Sequence, residues 1–514
     1  MTIRLIILWI PLLLWLSGCA INPVTGKNEI SLMSEASEIS TGNEQYLPSR
    51  QMQGGDYNVN PSIVQYVQRV GNRLAAVSDR PLPYEFSVIN DSTPNAWALP
   101  GGKIAINRGL LTELHSEAEL AAVLGHEIIH AAARHGAKGM ERGILLQGAV
   151  LAAGMASQNS EYSTLAVGGA GIAAQLINTK YSRSAELESD FYGMKYMAKA
   201  GYDPRAAIDL QQTFVRLSEG RNSNWITGMF ASHPPSQERV DANRHTASTL
   251  STGGEVGRER YLTAIAPLRN DHDAYNAYDA GRKALTDGDT ALALALAQKA
   301  LRLQPREALF HSLRGDIRFK QRRYTDAVTN YNRALQHNSN YFHYYLQRGL
   351  TYLELHDESQ ANRDLKKSLE LLPTAPALNA LGKMALNQGD RSSAKRYFTS
   401  AAGSNSIAGK EASRALIRLD LPDNPLKYLQ VQMIKDRNDT LQLRVRNTTK
   451  IDIERITILI QFSDQKGRTQ QLQQQLFKPL LAGRNVTVTT GIGPLAKLTK
   501  LSAQVTHAEI VKQD

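Results

Sequence analysis

The sequence predicts a multidomain, mainly α-helical protein that combines an α+β domain, an α-solenoid and a small C-terminal β-sandwich. Three observations indicate this order. The chain has 514 residues, 42% of them hydrophobic, which is too much for a single core. A repeat of about 34 residues starts near residue 272. After Pro425, apolar residues alternate with polar ones, as they do in half-buried strands.

The N-terminus resembles a secretory signal. Arg4 precedes an apolar run from Leu5 to Leu16, and small residues lead to Cys19. A run of about 12 apolar residues is shorter than the ~20 that span a bilayer, and small residues before a cysteine suit a cleavage site. We therefore expect residues 1–18 to be a lipoprotein signal peptide, the alternative being an uncleaved anchor helix.

The stretch Leu16-Ser17-Gly18-Cys19 resembles the bacterial lipobox. The resemblance implies cleavage before Cys19 and lipidation of its thiol. Ala20 follows, where an aspartate would indicate retention in the inner membrane, so we expect a lipid anchor in the outer membrane, facing the periplasm. Residues 19–56 would form the lipidated tether and N-terminal arm. Cys19 is the only cysteine in the sequence, which excludes an intramolecular disulfide and a cysteine-ligated metal site.

The charge balance is basic. Fifty-nine lysines and arginines against 48 acidic residues give a net charge of +11, which suits lipid headgroups or nucleic acid. No RNA-binding aromatic signature, zinc-finger spacing or P-loop is present in the sequence, so we expect a membrane-facing surface and no nucleic-acid partner.

Residues 57–268 carry the predicted α+β domain. Apolar residues from Ile63 to Leu74 recur at helical spacing, and residues 84–89 alternate as a strand does. Residues 96–107 indicate a hairpin around Pro100-Gly101-Gly102. Residues 143–177 are Ala/Gly-rich, which favours close helix packing, although a mobile lid or a membrane-dipping hairpin stays open.

A helix from about Ser116 contains the sequence His126-Glu127-Ile128-Ile129-His130. Two histidines four residues apart project from one helix face and can bind one Zn²⁺. Glu127 then lies beside the metal, where it can act as the general base of a metallopeptidase. The alternative, a pair of core histidines without a metal, is difficult to reconcile with an apolar helix face.

A catalytic zinc needs a third protein ligand and an open position. His135 follows His130 by five residues, and a straight helix would turn it away from the metal, so we interpret it as a helix-end residue. Glu186 is the better candidate, and Asp190, one turn later, can accept the free N–H of a ligand histidine. The alternative for Glu186 is an exposed helix charge.

Four motifs together resemble the peptidase family of the CAAX prenyl protease and the heat-shock protease HtpX; they are Asn95 to Gly102, His126 to His130, Glu186 with Asp190, and Ser232-His233-Pro234-Pro235 with Arg239. The resemblance implies a zincin-like metallopeptidase domain that binds one Zn²⁺ through His126, His130 and Glu186. It also implies that Glu127 is the general base.

The same resemblance leaves His233 and Arg239 with alternative roles. His233 is expected either to cap the zinc in a closed state or to act in catalysis, while the Pro-Pro that follows it also fits a plain helix start. Arg239 is expected to hold this region or the transition state. Asn95, Ala96 and Trp97 are expected to bind substrate backbone as an added strand, which suits unfolded, β-prone outer-membrane proteins as substrates.

The repeat beyond residue 272 keeps several registers at one period. Gly281, Gly315 and Gly349 are spaced by 34 residues, and so are Ala293, Ala327 and Ala361. This is the tetratricopeptide signature, and we expect four repeats within a domain of residues 272–420. Such a superhelix offers a surface for partner proteins, and the resemblance implies the barrel-assembly machinery.

Residues 425–514 indicate six or seven short strands, and we find no catalytic signature there. Two functions of different class follow from the whole sequence. The first is a zinc endopeptidase of the bacterial envelope that degrades misfolded or stalled outer-membrane proteins, with an assembly-chaperone role in addition. The second is a tetratricopeptide scaffold whose protease domain is largely latent.

Overall fold

The protein is described by a computed structural model over residues 19–147, 180–219, 228–251, 253–464 and 466–511. The predicted signal peptide and most of the Ala/Gly-rich stretch lie outside the described residues. The chain divides into two compact units, Met1–Ala377 and Leu378–Asp514, and this boundary falls inside the predicted repeat domain. None of the helices in the described ranges combines the length and apolarity that crossing a bilayer requires.

The first unit is mainly helical. Its elements are β1 (Cys19–Ile21), β2 (Asn28–Ile30), α1 (Glu35–Met52), α2 (Pro61–Ala75), β3 (Glu85–Ile89), β4 (Ala96–Leu99), β5 (Lys103–Asn107), α3 (Arg108–Glu113), α4 (Glu117–Ala132), α5 (His135–Gln147), α6 (Arg183–Lys199), α7 (Ala206–Glu219), α8 (Met229–Ser232), α9 (Gln237–Thr249), α10 (Arg258–Asn270), α11 (His272–Thr286), α12 (Thr290–Leu303), α13 (Ala308–Lys320), α14 (Tyr324–His337), α15 (Phe342–Glu354) and α16 (Glu358–Leu371).

A three-stranded sheet lies beside the helices in the order β3-β5-β4, with β3 parallel and β4 antiparallel to β5. The predicted hairpin is confirmed, since Leu99 pairs with Lys103 across the turn. Gly101 and Gly102 have φ of 75° and 85°, a left-handed conformation that glycine adopts without steric cost. In the strand order β3-β5-β4, β4 lies at one edge of the sheet.

Helix α4 is held at both ends. At its start, the carboxylate of Glu117 accepts hydrogen bonds from Arg260 and from the hydroxyl groups of Tyr66 and Tyr202. Just beyond its end, Glu38 pairs with the guanidinium of Arg134. Because charge-assisted hydrogen bonds are directional, these anchors fix the axial position of the helix that carries the histidine pair.

Within the helical repeats, a glycine of one helix packs against a large side chain of the next helix. An added Cβ at Gly315 would lie 2.6 Å from the ring of Tyr331, and one at Gly349 would lie 2.9 Å from Leu365. In these two repeats the glycine of the first helix therefore makes room for the large residue of the second helix. This contact explains why both registers recur every 34 residues and why the alanines between them are buried.

The repeats contact the α+β domain within the first unit. Asn90 donates hydrogen bonds to the buried carboxylate of Glu307, which also accepts one from Tyr275 at 2.6 Å. Gln51 donates to Asn340 O and accepts from Phe342 N. The sequence offers no signal for the contacts of Asn90 and Gln51, which join residues more than 200 positions apart.

The second unit contains most of α17 (Ala375–Asn387) and continues with α18 (Arg391–Ala401), α19 (Ile407–Asp420), β6 (Leu429–Lys435), β7 (Leu441–Asn447), β8 (Ile453–Asp464), β9 (Thr469–Leu476), β10 (Asn485–Thr489) and β11 (Leu498–Ile510). The strands form two three-stranded antiparallel sheets, β10-β7-β6 and β11-β8-β9. Leu443 from the first sheet and Ile458 from the second belong to one buried cluster. β8 and β11, with 12 and 13 residues, are longer than the short strands that the sequence predicts.

Candidate metal centre

The histidine pair lies on one buried face of α4. Ser116 caps the helix by accepting a hydrogen bond from Glu119 N, and every residue from Glu117 to Ala132 is buried. His126 Nε2 and His130 Nε2 are 2.9 Å apart, as the four-residue spacing predicts. Both side chains can therefore present a nitrogen to one ion.

Helix α6 brings Glu186 to these nitrogens. A Cβ added at Gly125 would lie 3.3 Å from Gly193 O, so the glycine pair allows α4 and α6 to approach closely. As a result, the Glu186 carboxylate lies 3.5 Å from His126 Nε2 and 3.4 Å from His130 Nε2. Glu186 is 3% exposed, so the alternative of an exposed helix charge is wrong.

His233, from the segment after α8, joins the same cluster. Its Nδ1 lies 3.1 Å from Glu186 Oε1 and 3.2 Å from His126 Nε2. One ligand atom from each of His126, His130, Glu186 and His233 lies within 4.8 Å of the others.

This donor set fits zinc. Tetrahedral Zn²⁺ with bonds of about 2.0–2.2 Å places its ligand atoms about 3.3 Å apart, close to the separations between these atoms. Three imidazoles and one carboxylate are also ligands that zinc prefers. His135 is outside this set.

The charges of the cluster are coupled. Burial disfavours a charge on His126, but the carboxylates of Glu186 and Asp190 outweigh it and raise the pKa of His126 to about 10. Burial also disfavours the Glu186 carboxylate, yet His233 and His126 lower the pKa of Glu186 well below its usual range. Because a metal binds the neutral imidazole, it would displace the proton that these carboxylates favour on His126.

Asp190 and Arg239 position the ligands. Asp190 Oδ1 lies 2.8 Å from His126 Nδ1, so it orients the ring whose other nitrogen faces the cluster. Arg239 donates to both oxygens of Asp190 at 2.7 and 2.8 Å, and its Nη1 lies 2.9 Å from Glu186 Oε2. The contacts of Arg239 are thus those of a residue that holds this region.

Glu127 lies beside the cluster with an unpartnered carboxylate. Its side chain is fully buried, and neither oxygen has a hydrogen-bond partner within the part of the chain that the structure describes. Burial raises the pKa of Glu127, against the opposing effect of His233 and His126. Its closest ionic neighbour is His233 Nε2 at 3.6 Å. A carboxylate that is buried at such cost needs a hydrogen-bond partner, which the described residues do not supply.

Two residues, His135 and Tyr181, make contacts with His130 that the sequence reasoning did not predict. Helix α4 ends at Ala132, and Arg134 has a φ of 64°, so His135 starts the next helix and places its Nδ1 3.0 Å from His130 Nδ1. The side chain of Tyr181 stacks on His130 with ring centroids 3.8 Å apart. Both residues orient the second ligand, and a straight-helix extrapolation could not locate the first.

The predicted substrate strand lies at the sheet edge, and it is covered. Ala96 and Trp97 are buried in β4, and Trp97 Nε1 donates to Gln53. Pro94 O, just before the strand, accepts a hydrogen bond from Met229 N, which belongs to the segment that carries His233. At the N-terminus, Cys19 starts β1 and pairs with Ile30.

Comparison with known proteins assigns the class. Residues 61–247 match Peptidase family M48, and residues 278–341 match the tetratricopeptide repeat. The metalloprotease YcaL of Escherichia coli is 30% identical over 195 residues, which are 36% of this chain and 72% of that protein. The chain therefore belongs to peptidase family M48, a family of metal-dependent peptidases.

For two further relatives, the match covers only about half of the relative's own length. The mitochondrial metalloendopeptidase OMA1 of Schizosaccharomyces pombe is 36% identical over 182 residues, 34% of this chain and 50% of that protein. The beta-barrel assembly-enhancing protease of Escherichia coli is 28% identical over 268 residues, 49% of this chain and 52% of that protein. The chain thus spans about half the length of these two relatives.

Proposed function

We propose that this protein is a zinc-dependent endopeptidase of the bacterial envelope that degrades misfolded or stalled outer-membrane proteins and has an assembly-chaperone role. The observation that carries the proposal is the buried ligand cluster with the unpartnered Glu127 carboxylate beside it. The relatives named as proteases, and the one named for barrel assembly, support it.

Each residue has a role in this proposal. His126, His130 and Glu186 would hold the zinc, while Asp190 and Arg239 keep His126 and Glu186 in place. When bound, zinc would supply a Lewis acid that polarises the substrate carbonyl and lowers the pKa of water to about 7. Glu127 Oε1 or Oε2 takes the proton from the attacking water and later returns it to the leaving amine, as a general base and acid.

Substrate would bind along β4 once the segment of His233, which is hydrogen-bonded to the start of this strand through Met229 N and Pro94 O, has moved away. An extended peptide that pairs with an edge strand gains main-chain hydrogen bonds that are largely independent of its side chains. Unfolded outer-membrane proteins expose such strands, which makes them the substrate class that we propose. The helical repeats would bind partner proteins of barrel assembly.

The proposal is tested by metal content and proteolysis of the purified protein. We expect about one zinc per chain by atomic emission and cleavage of β-casein, an unfolded chain, that stops after chelation and returns with added zinc. A protein that binds zinc but never cuts casein would instead support the second candidate, the tetratricopeptide scaffold with a latent protease domain. The position of His233 inside the ligand cluster favours that latency.

Glu186→Gln should lower zinc occupancy, because an amide is a much weaker zinc ligand than a carboxylate. We expect most of the metal to be lost on dialysis, as measured by atomic emission. Glu259→Gln, which changes an exposed glutamate on α10, is the control and should keep its zinc. Full occupancy in Glu186→Gln would assign the third-ligand role to another residue.

Cys19→Ala tests the proposed lipid anchor and the outer-membrane location, facing the periplasm. The variant lacks the thiol that would be acylated, so it should not incorporate labelled palmitate and should not sediment with outer membranes. Labelling that persists in Cys19→Ala would contradict the lipoprotein assignment.

We further propose a zincin-like arrangement for the catalytic domain and a sandwich for the two C-terminal sheets.

A further inference from the structure

The second helical repeat, α13 with α14, contains an arginine, Arg314, that pairs with no carboxylate among the described residues. The third repeat, α15 with α16, provides an internal comparison, because the repeat length is 34 residues. Arg314 corresponds to Arg348, and Asn330 corresponds to Asp364. The two repeats therefore place the same cation opposite two different partners.

In the third repeat the cation is neutralised. Arg348 Nε donates to Asp364 Oδ2 at 2.6 Å, and Arg348 Nη2 donates to Asp364 Oδ1 at 2.7 Å. This is the bidentate contact that a guanidinium makes with a carboxylate. Asp364 is buried, so the pair is shielded from water.

In the second repeat an amide takes the place of that carboxylate. Arg314 Nε donates to Asn330 Oδ1 at 2.5 Å, a contact with a neutral group. Arg314 is partly buried, and no carboxylate forms an ion pair with it in the described ranges of the chain. The partly buried charge of Arg314 thus has no counter-ion among the residues that the structure describes.

Two more arginines increase this positive charge. Arg318 lies one turn after Arg314 on α13, and Arg333 lies three residues after Asn330 on α14, so each shares a helix face with a member of the contact. Burial lowers the pKa of Arg314, and the charges of Arg333 and Arg318 lower it further. Because the three groups carry the same charge, an anion bound among them would lower their mutual repulsion.

We propose that Arg314, Arg318 and Arg333 form a binding site for a carboxylate of an acidic segment in a partner protein. The geometry of the third repeat indicates a carboxylate, because the Asp364 side chain shows how one fits against an arginine at this place in the repeat. A guanidinium binds a planar carboxylate through two parallel hydrogen bonds. The site goes beyond proteolysis, since it involves none of the metal-centre residues.

The test is binding of a labelled glutamate-rich peptide with an amidated C-terminus, followed by fluorescence anisotropy with the full chain at about 150 mM salt. The glutamine counterpart of the peptide should not bind. Arg314→Met should weaken binding at least about tenfold, since it removes a charged hydrogen-bonding group. Arg363→Met, which removes an exposed arginine from α16, is the control and should bind as the wild type does.

Asn330→Asp separates this proposal from a general charge effect. The variant supplies the carboxylate that the third repeat already has, so it should weaken peptide binding at least about tenfold, as Arg314→Met does. Equal weakening by Arg314→Met and Arg363→Met, or unaltered binding in Asn330→Asp, would overturn the proposal. Stabilisation by inorganic phosphate without peptide binding would also overturn it, because the ligand would then be a phosphate.

Discussion

Glu127→Gln is expected to abolish peptide-bond hydrolysis while the protein keeps its zinc. Glutamine has the shape of glutamate but cannot accept the proton of the attacking water, and a positioned general base contributes about 10²–10⁴-fold to a rate. The proposed ligands His126, His130 and Glu186 are unchanged in this variant. The measurement is the initial rate of β-casein cleavage, with the zinc content determined on the same sample.

The control for this substitution is Glu259→Gln. Glu259 is exposed on α10, so the same chemical change is made far from the metal centre and should alter neither rate nor metal content. The melting temperature of Glu127→Gln should not fall, because the wild-type carboxylate is buried without a hydrogen-bond partner among the described residues. A Glu127→Gln protein that cuts casein at the wild-type rate would refute the assigned mechanism.

The parts of the fold that depend on the spacing of residues within one element could be predicted from the sequence. The apolar spacing from Ile63 to Leu74 predicts the buried face of α2, and the two glycines after Pro100 predict the turn of the hairpin. The four-residue spacing of His126 and His130 likewise predicts their common face. In each case the periodicity of one element decides the outcome, so no distant contact needs to be known.

The parts that depend on contacts between distant segments could not be predicted from the sequence. The left-handed conformation of Arg134 brings His135 back towards His130, and an arginine carries no sequence signal for it. The stacking of Tyr181 on His130 requires the packing of α6 against α4. The buried contact between Asn90 and Glu307 joins two domains, and periodicity within either domain does not contain it.

His233 shows why the sequence left alternatives open. The prolines after His233 do precede a helix, since Ser236 caps α9, and this agrees with the plain helix start. The same backbone places the His233 ring in the ligand cluster. A helix start and a metal-directed side chain are therefore compatible, and only an experiment separates a cap from a catalytic group.

His233→Ala should raise proteolysis, including self-cleavage, because in the capping role the ring would fill the position that water and substrate require. His233 is 2% exposed and lies 3.2 Å from His126 Nε2, and its segment is fixed to the start of β4 through Met229. If the open state is about a tenth of the wild-type population, the rate should rise about tenfold. Casein cleavage is measured with zinc in excess, so that a weaker metal affinity does not mask the gain.

His245→Ala, an exposed histidine on α9, serves as the control and should leave the rate unchanged. If His233 instead stabilises the negative charge that develops on the substrate oxygen, its loss should lower turnover by about 10²-fold, the scale of a single such donor. An unchanged rate in His233→Ala would exclude both roles. We expect the increase, because His233 approaches the ligand atoms Glu186 Oε1 and His126 Nε2 more closely than it approaches Glu127.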